Sequence, residues 1–395
     1  MKILVVHSEL GVLRGGGENF TRNLFAAFHK RGHRVIAAFV ADKHGRYPFP
    51  MPLGIEPIPI SGWWSSALGQ ASLSSIGSWV APTGWLKPKW EQLQEAIHWR
   101  TQRWHNKRFD KRVELDFAGK WAEFDAVYVH SNHHLASRVA QYRPTILRLP
   151  GPLSSDHASV LRKAHVVCAN GDALVQTQKL LGDQAIELPI GIDTTAFSPG
   201  TTSVRPVLRW TDHHWVIGYV GRLLHLKGVD ILAAAFREIC RIVPNARLLI
   251  VGSGEKETML RSILRKELVR GMVHMESDVP HHRLADWYRA MNLFVMPSRY
   301  ENFSNAIVEA LACGVPFLAS DVGGNRIIAK AVGGFLFQEN SVHSLAMSLR
   351  QISESFQEMK AEGLSGTDYV RRKYTWAASA ECLEHIITSS LGVKE

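Results

Sequence analysis

Residues 297–324 read PSRYENFSNAIVEALACGVPFLASDVGG, and this stretch decides the fold. Leu293–Met296, immediately before it, is a short apolar run ended by a proline, which predicts a buried strand. After a polar loop, Ser304 is a favourable N-cap for a helix that ends before Pro316. A second apolar run and a glycine turn over residues 321–324 follow. Strand, loop, helix and strand in this order predict an open α/β sheet, in which ligands bind outside the carboxyl ends of the strands.

Two carboxylates frame the polar loop of this stretch. Glu301 lies in the loop, and Glu309 lies on the helix, where it shares one face with Asn305 four residues before it. The start of a helix offers free N–H groups and partial positive charge to an anion such as a phosphate. Carboxylates do not bind phosphate, but they accept hydrogen bonds from sugar hydroxyls. The stretch therefore predicts a sugar-nucleotide site, with phosphate at the helix start and hydroxyls at the carboxylates.

The same stretch resembles the donor motif of the retaining glycosyltransferases of family 4. The resemblance rests on Glu301, a gap of seven residues, the run Glu309–Pro316, and the pair Gly323–Gly324. It implies an α/β fold of the GT-B type, with two Rossmann-like domains facing each other across a cleft. It also implies transfer of a sugar, with retention of configuration, from a nucleotide-diphosphate sugar to a hydroxyl of a saccharide or lipid-linked acceptor. UDP-sugars are the first expected donors and GDP-mannose the second; the donor is a substrate, and no cofactor is expected.

Two cations follow another predicted strand. The segment Gly221–Gly228 reads GRLLHLKG, in which Arg222 offers a bidentate fork and Lys227 a mobile point charge. A departing diphosphate needs such neutralisation, and the resemblance implies that both cations supply it. It further implies that Glu309 binds the ribose hydroxyls and that Glu301 holds the donor-sugar hydroxyls.

The resemblance carries over further donor-binding positions. They are Gly15, Gly16, Val279, Phe303, Ser304 and Asn305. The sequence departs from the family pattern at Ile327, where members often carry a glutamate after the Gly-Gly pair. A hydroxyl contact to the donor sugar is therefore either lost or supplied by another residue.

The beginning of the chain predicts a βαβ unit. Lys2–His7 and Arg34–Val40 predict strands, and between them lie a glycine loop and an amphipathic helix. The resemblance places Gly15 and Gly16 in a loop that faces the active cleft. It also places His130, at the end of a later predicted strand, beside the reacting sugar.

A length of 395 residues favours two domains. We expect an N-terminal, acceptor-side Rossmann-like domain over residues 1–198 and a linker over residues 199–213. A C-terminal Rossmann-like domain that binds the nucleotide sugar is expected over residues 214–375. The resemblance implies that a last helix, over residues 376–395, returns to the N-terminal domain.

Positive charge is concentrated in the first half of the chain. Residues 1–187 hold 23 Lys and Arg against 15 Asp and Glu, which accounts for +8 of the formal net charge of +10. An irregular, tryptophan-rich insertion over residues 45–118 includes a predicted basic amphipathic helix over residues 89–112. Such a helix is typical of contact with an anionic membrane surface. An ordinary domain helix, or a glycan or nucleic-acid surface, are the alternatives, and a nucleic-acid partner is not expected.

Several other classes of protein fit the sequence less well. No apolar run of about 18 residues is present, so we expect a cytoplasmic protein, peripheral at most on the inner face of the membrane. No Asp-x-Asp occurs, which favours a metal-independent transferase over the class that binds its diphosphate through a metal ion. A non-catalytic sugar-nucleotide-binding protein and a retaining sugar phosphorylase on the same fold stay as alternatives. A dinucleotide oxidoreductase would need a fuller glycine fingerprint.

Overall fold

The structure, a computed structural model, describes residues 1–12, 16–42, 44–61, 107–151, 157–355, 366–390 and 392. The chain divides into two compact units. The first unit is Met1–Ala169, Thr177–Leu188 and Ala380–Glu395, and the second is Asn170–Gln176 and Pro189–Ser379.

The first unit contains a seven-stranded parallel sheet. Its strands are β1 (Lys2–Val6), β2 (Arg34–Ala41), β3 (Ile55–Ser61), β4 (Ala126–His130), β5 (Thr145–Arg148), β6 (Val166–Ala169) and β7 (Ala185–Glu187). They follow the order β3-β2-β1-β4-β5-β6-β7. Strands β1, β4, β5 and β6 are runs of buried residues, as expected for parallel strands that are covered on both faces. The helices of this part of the chain are α1 (Gly16–Lys30), α2 (107–116), α3 (His133–Val139), α4 (Ala158–Leu161) and α5 (Gly171–Leu181).

The second unit contains a six-stranded parallel sheet. Its strands are β8 (Trp215–Val220), β9 (Ala246–Val251), β10 (Val273–Glu276), β11 (Leu293–Met296), β12 (Phe317–Ser320) and β13 (Phe335–Phe337). Their order is β10-β9-β8-β11-β12-β13. The helices that follow in the chain are α6 (Val229–Ile242), α7 (Glu257–Ile263), α8 (Arg265–Val269), α9 (Leu284–Tyr288), α10 (Asn305–Ala312), α11 (Gly323–Val332), α12 (Val342–Glu354), α13 (366–373) and α14 (Trp376–His385). Of the helices that the structure describes, none is long and apolar enough to cross a membrane.

Each sheet has a point at which the strand order reverses. In the first sheet this point lies between β1 and β4, and in the second it lies between β8 and β11. At such a reversal the connections leave in opposite directions, which opens a crevice at the carboxyl ends of the two strands. His7, Arg222 and Glu301 lie in the segments that follow β1, β8 and β11, and His130 is the last residue of β4.

The predicted linker packs within the second unit. Arg205 lies in it and donates through Nε to the carbonyl oxygen of Ala290 at 2.8 Å and through Nη2 to Oδ1 of Asn292 at 2.5 Å. Residues 199–213 therefore cluster with the second unit. The predicted domain limits stay predictions.

Three local predictions need correction or limits. Ile55–Ser61 is an edge strand, although its two prolines indicated a loop; at an edge, a proline can point its missing N–H away from the ladder. Gly323 and Gly324 begin helix α11 and do not form a free turn. The predicted helix over residues 89–112 lies largely outside the described residues, and its described end belongs to α2.

Candidate active site

An ion pair lies at the crevice of the second sheet. Nζ of Lys227 donates to Oε2 of Glu301 at 2.6 Å, and Oγ of Ser298 donates to the same oxygen at 3.2 Å. Glu301 is 8% exposed, so its charge is largely removed from water. Gly228 has φ +64°, and a Cβ there would lie 1.8 Å from the carbonyl oxygen of Pro297, so only glycine brings Lys227 this close to the β11 loop. The sequence prediction that these two charges share one site is consistent with this geometry.

Arg299 fixes the loop that carries Glu301. Its guanidinium binds Asp230 through two hydrogen bonds of 2.8 and 2.7 Å and also donates to the carbonyl oxygen of His225. The hydrogen bond from Arg299 holds the pKa of the Asp230 carboxyl below its usual value. The loop after β11 is thereby tied to the turn that carries Lys227. Sequence reasoning missed this pair, because one arginine and one aspartate 69 residues apart give no local signal.

The back of the same loop meets two helix starts. Oδ1 of Asn302 accepts from the backbone N–H of Ala173 at 2.7 Å, and its carbonyl oxygen accepts from that of Asp172 at 3.0 Å. The N–H of Gly324 donates to the carbonyl oxygen of Glu301 at 2.8 Å. A Cβ on Gly324 would lie 2.0 Å from the carbonyl oxygen of Asn302. The second glycine of the pair is therefore needed for close packing on this loop, and Asn302 serves as a capping group for α5.

Glu309 projects from α10 into a polar contact. Its carboxylate accepts from the phenol of Tyr288 at 2.8 Å and from Nε2 of His281 at 2.9 Å. A carboxylate has about four acceptor positions, so two stay available for the ribose hydroxyls that the motif predicts. The sequence indicated Tyr288 as a core residue; it is fully buried and also orients Glu309. His281 was missed, because its side chain is exposed and no periodicity marks it.

The start of α10 carries three of the other predicted positions. Oγ of Ser304 accepts from the N–H of Ile307 at 3.3 Å, which confirms the predicted N-cap. Asn305 is the exposed first residue of the helix, where N–H groups lack partners within the helix. Phe303 packs edge-on against Tyr374, with ring centroids 5.4 Å apart. The cap geometry therefore leaves an anion-attracting helix start beside Glu301, and the donor-binding roles of these residues stay predictions.

Arg222 lies on the turn after β8, with an exposed side chain. Among the described residues, no hydrogen bond or ion pair holds its guanidinium. The pKa of Tyr219 is raised by burial and then by the Glu301 carboxylate, whereas Arg222 opposes the shift. The charges of Glu301 and Arg222 therefore both lie close enough to Tyr219 to affect the pKa of its phenol. Gly252 supports this turn, since a Cβ there would lie 2.0 Å from the carbonyl oxygen of Gly221. Glycine at position 252 is therefore explained by packing, without a dinucleotide.

Val279 is half-buried in the segment between β10 and the short 3-10 turn His281–Arg283. Nothing in the described contacts links it to Glu309, although His281, two residues later, is hydrogen-bonded to that carboxylate. Contact between Val279 and the nucleotide base stays a prediction.

His130 lies in the first unit, at the crevice between β1 and β4. Its ring stacks on that of His7, with centroids 4.0 Å apart, and Oγ1 of Thr21 lies within hydrogen-bond distance of both rings. Burial, and then the nearby charges of His7 and Arg148, hold the pKa of His130 well below its usual value. A neutral imidazole at pH 7 can orient a hydrogen-bonded group or accept a proton, but it has no positive charge with which to attract an anion. Sequence reasoning missed His7, which directly follows β1, whereas His130 is the last residue of β4.

The glycine segment before α1 is described in part. Gly15 lies outside the described residues, and Gly16 is the exposed first residue of the helix. A Cβ on Gly17 would lie 2.9 Å from Nε2 of His130. The third glycine of the run therefore contacts the histidine that the family motif singles out. Glu301, Lys227, Arg222 and Glu309 share the second unit, whereas Gly16 and His130 belong to the first.

The contact between His281 and Glu309 predicts a pH-dependent contribution to stability. The hydrogen bond that His281 donates to the Glu309 carboxylate raises the pKa of His281 above its usual value. Because the folded pKa is the higher one, the contribution is complete below the unfolded pKa and is lost as the pH rises through the folded pKa. We expect the difference in Tm between wild type and His281→Ala to be largest near pH 6 and to shrink above neutral pH.

Thermal unfolding from pH 6 to pH 9 measures this difference. His343→Ala is the control, because the side chain of His343 is exposed and forms no hydrogen bond or ion pair with a described residue. A Tm difference for His281→Ala that stays constant over this range would contradict the ion pair.

Comparison with known proteins places part of the chain in a family. Residues 201–362 match the glycosyl transferases group 1 family. The D-inositol 3-phosphate glycosyltransferase of Segniliparus rotundus is 29% identical over 291 residues, which cover 65% of this chain and 64% of that protein. The GDP-mannose-dependent monoacylated alpha-(1-6)-phosphatidylinositol monomannoside mannosyltransferase of Corynebacterium glutamicum is 30% identical over 213 residues, covering 51% of this chain and 55% of that protein. The chain thus spans between about half and about two thirds of the length of these curated relatives.

Solved structures extend the likeness to the whole fold. Sucrose-phosphate synthase from Thermosynechococcus elongatus superposes with a TM-score of 0.73 at 18% identity, over 100% of both chains. HepE of Anabaena, in complex with UDP and glucose, superposes with a TM-score of 0.69 at 16% identity, over 98% of this chain and 100% of that one. Identities this low bear on the fold alone. Residues 201–362 therefore resemble the glycosyl transferases of group 1, and the chain has the GT-B fold that its donor motif predicts.

Proposed function

We propose that this protein is a retaining glycosyltransferase that moves a sugar from a nucleotide-diphosphate sugar to a hydroxyl of a saccharide or lipid-linked acceptor, in cell-surface glycan biosynthesis. The observation that carries the proposal is the partly buried ion pair of Lys227 and Glu301 at a topological switch point, next to the start of α10. A cation and a helix start suit the diphosphate, and the carboxylates suit the hydroxyls of the sugar and the ribose.

The reaction breaks the bond between the anomeric carbon and the diphosphate and forms a bond from that carbon to the acceptor oxygen on the same face. Negative charge develops on the departing diphosphate, and Lys227, Arg222 and the N–H groups at the start of α10 stabilise it. The acceptor proton passes to a phosphate oxygen of the leaving group. Glu301 holds the donor-sugar hydroxyls and Glu309 the ribose. Glu301 thereby orients the anomeric carbon, and neither carboxylate acts as a covalent nucleophile.

UDP-sugars are the first proposed donors and GDP-mannose the second. The complex of HepE with UDP and glucose supports a uridine nucleotide on this fold, and the relative from Corynebacterium glutamicum is named for GDP-mannose. The names of the relatives, one for D-inositol 3-phosphate and one for a phosphatidylinositol monomannoside, also support an acceptor that contains inositol. Thermal shifts against a panel of nucleotide sugars test the proposal, because a tight donor raises Tm through binding to the folded state alone. A panel in which no nucleotide sugar raises Tm would overturn it.

A second candidate, a sugar-nucleotide-binding protein without turnover, is favoured by one observation. Ile327 on α11 is half-buried and stands where the family often has a glutamate, so one hydroxyl contact is missing at this position. Slow hydrolysis of the bound donor separates the two functions. Release of nucleoside diphosphate supports the transferase, and a bound donor that is never cleaved supports the binding protein.

We also propose that the transfer needs no divalent metal. No Asp-x-Asp is present in the sequence, and the cations of Lys227 and Arg222 suffice to neutralise the diphosphate. Activity in excess EDTA is expected to stay within about twofold of the untreated enzyme, since the stabilising charges belong to the protein. Complete loss in EDTA, restored by Mn²⁺ or Mg²⁺, would contradict this proposal.

Peripheral contact with the anionic inner leaflet is a further part of the proposal. Helix α2 buries Phe109 and Val113 in the first unit and exposes Lys107, Arg108 and Lys111. The described apolar residues of α2 therefore pack in the core of the first unit, and its exposed basic residues are the ones that would contact a membrane. Each basic residue near an anionic surface contributes about 1 kcal/mol.

Vesicle co-sedimentation tests the membrane contact. Wild type is expected to bind anionic vesicles at low salt and to dissociate at high salt. Reversal of the charges of Lys107, Arg108 and Lys111 should abolish binding. The matched control reverses Arg265, Lys266 and Arg270, which are exposed in the second unit. Equal binding by both triple variants would show that α2 is not the contact.

A further inference from the structure

A buried cation without a partner lies at the carboxyl end of β5. Arg148 is 3% exposed, and its backbone pairs in register with His130 on β4. Its Nη1 has no hydrogen-bond partner. No residue that the structure describes forms a hydrogen bond or an ion pair with the guanidinium. Its guanidinium lies instead over the ring of Phe20 on α1, whose centroid is 4.6 Å from Cζ.

The groups around Arg148 do not neutralise it. Burial raises the pKa of the phenol of Tyr128 and raises that of the Cys168 thiol to about 12, so both stay protonated at neutral pH. The carboxylate of Glu187 attracts the guanidinium without forming an ion pair with it. A guanidinium stays charged in proteins even when it is buried. Arg148 is therefore a buried charge without a counter-ion among the described residues, an arrangement that folding alone does not favour.

Another buried arginine of this chain shows what a structural role looks like. Arg205 donates to the carbonyl oxygens of Ala290, Thr211 and His214 and to Oδ1 of Asn292. Its planar fork is thus satisfied by the protein itself. The hydrogen bonds of Arg205 are made within the protein, whereas the guanidinium of Arg148 forms none with the residues that the structure describes. This difference indicates that the guanidinium of Arg148 is available to bind a ligand.

The surroundings of Arg148 belong to the crevice of the first sheet. His7, His130 and Arg148 follow or end the three neighbouring strands β1, β4 and β5, and α1 covers them. Thr21 of α1 contacts both histidines, and Phe20 of the same helix covers Arg148. The unpartnered fork thus lies beside the histidine that the motif associates with the reacting sugar. A guanidinium recognises oxyanions through two parallel hydrogen bonds, which neutral hydroxyls cannot match.

We propose that Arg148 binds an oxyanion, a phosphate or a carboxylate, carried by the acceptor, so that the acceptor of this enzyme is anionic. The proposal rests on the proposed transferase function for the word acceptor, whereas the oxyanion site itself does not depend on turnover. Arg148 positions the acceptor by its charged group and takes no part in bond making.

The oxyanion site is tested first with inorganic phosphate. The background is Arg222→Ala/Lys227→Ala, which removes the cations proposed to bind the donor diphosphate. Phosphate, compared with chloride at equal ionic strength, is expected to raise the Tm of this protein. Addition of Arg148→Met should remove the shift, and addition of Arg46→Met, an exposed arginine of the same unit, should keep it. A shift that survives Arg148→Met, or no shift in the background protein, would overturn the proposal.

Folding of the variants gives a second criterion. Arg148→Met removes an uncompensated charge at similar volume, so its Tm without phosphate should equal or exceed that of wild type. Arg148→Lys keeps the charge but loses the fork, so it should fold and lose at least about half of the phosphate shift. If Arg148→Met does not fold, the lysine variant decides, and a full phosphate shift in it would overturn the proposal.

Kinetics separate the acceptor from the donor as the source of the oxyanion. Arg148→Met is expected to leave KM for the donor in donor hydrolysis within about threefold, and to lower kcat/KM for a phosphorylated acceptor by about tenfold or more but not for its dephosphorylated analogue. A tenfold rise in donor KM would assign the oxyanion to the donor diphosphate and overturn the acceptor assignment. If wild type hydrolyses no donor, the transferase function fails, while the phosphate shift still decides the site.

Discussion

Lys227→Ala and Arg222→Ala are each expected to lower turnover by about 10²–10³-fold, the scale of a lost preorganised stabiliser of developing charge. Lys227 is held at 2.6 Å from Glu301 in a largely buried site, so its charge needs little reorganisation when the diphosphate departs. Arg222 is exposed and without a partner among the described residues, which leaves its fork available to the phosphate oxygens. Donor affinity should fall together with turnover.

Initial rates at saturating acceptor, with the donor concentration varied, measure both effects. Lys330→Ala is the matched control, because Lys330 is an exposed lysine on α11 without a described partner. Near-wild-type rates for both variants would show that the diphosphate is not bound by these two cations.

Glu301→Gln is expected to lower turnover by about 10²-fold, whereas Glu309→Gln should mainly raise KM for the donor, by about tenfold. The reason is position. Glu301 lies in the loop after β11 and is paired with Lys227, so a neutral amide there disturbs both the sugar hydroxyls and the cation. Glu309 lies on α10, held by Tyr288 and His281, and its proposed contacts are with the ribose, away from the bond that breaks.

Separate values of kcat and of KM for the donor in the two variants test this division of roles. Asn305→Asp is not a suitable control, because it adds a charge at the helix start; Glu354→Gln, on an exposed helix face, is preferable. Equal losses in kcat and KM for both carboxylate variants would contradict separate roles for Glu301 and Glu309.

The linear motif could be predicted because its parts are local in sequence. The strand–loop–helix–strand order around Glu301, the cap at Ser304 and the cations after β8 all follow from short patterns of residue type. The fold class followed from the same motif and is confirmed by the structure and its neighbours. Where a local sequence pattern gave a wrong prediction, a tertiary contact determines the structure. The pair Gly323–Gly324 reads as a turn, but the helix it begins packs on the loop of Glu301.

The parts of the site that the sequence could not predict join residues far apart in the chain. Asn302 caps α5, whose start lies about 130 residues earlier in the chain. Arg299 and Asp230, and likewise His7 and His130, become partners only when parallel strands set their carboxyl ends side by side. The spacing of residues within a single helix or strand gives no information about such a contact. Arg148 is similar, since its missing partner can be recognised only when the whole neighbourhood is known.

One measurement tests the central claim most directly: release of nucleoside diphosphate from a panel of UDP- and GDP-sugars by wild type, Lys227→Ala and Glu301→Gln. Wild type is expected to cleave at least one donor of the panel in EDTA, and each variant is expected to cleave the same donor at least about 10²-fold more slowly while still unfolding cooperatively. Cleavage of no donor by wild type, or equal rates in all three proteins, would contradict a nucleotide-sugar transferase built around the pair of Lys227 and Glu301.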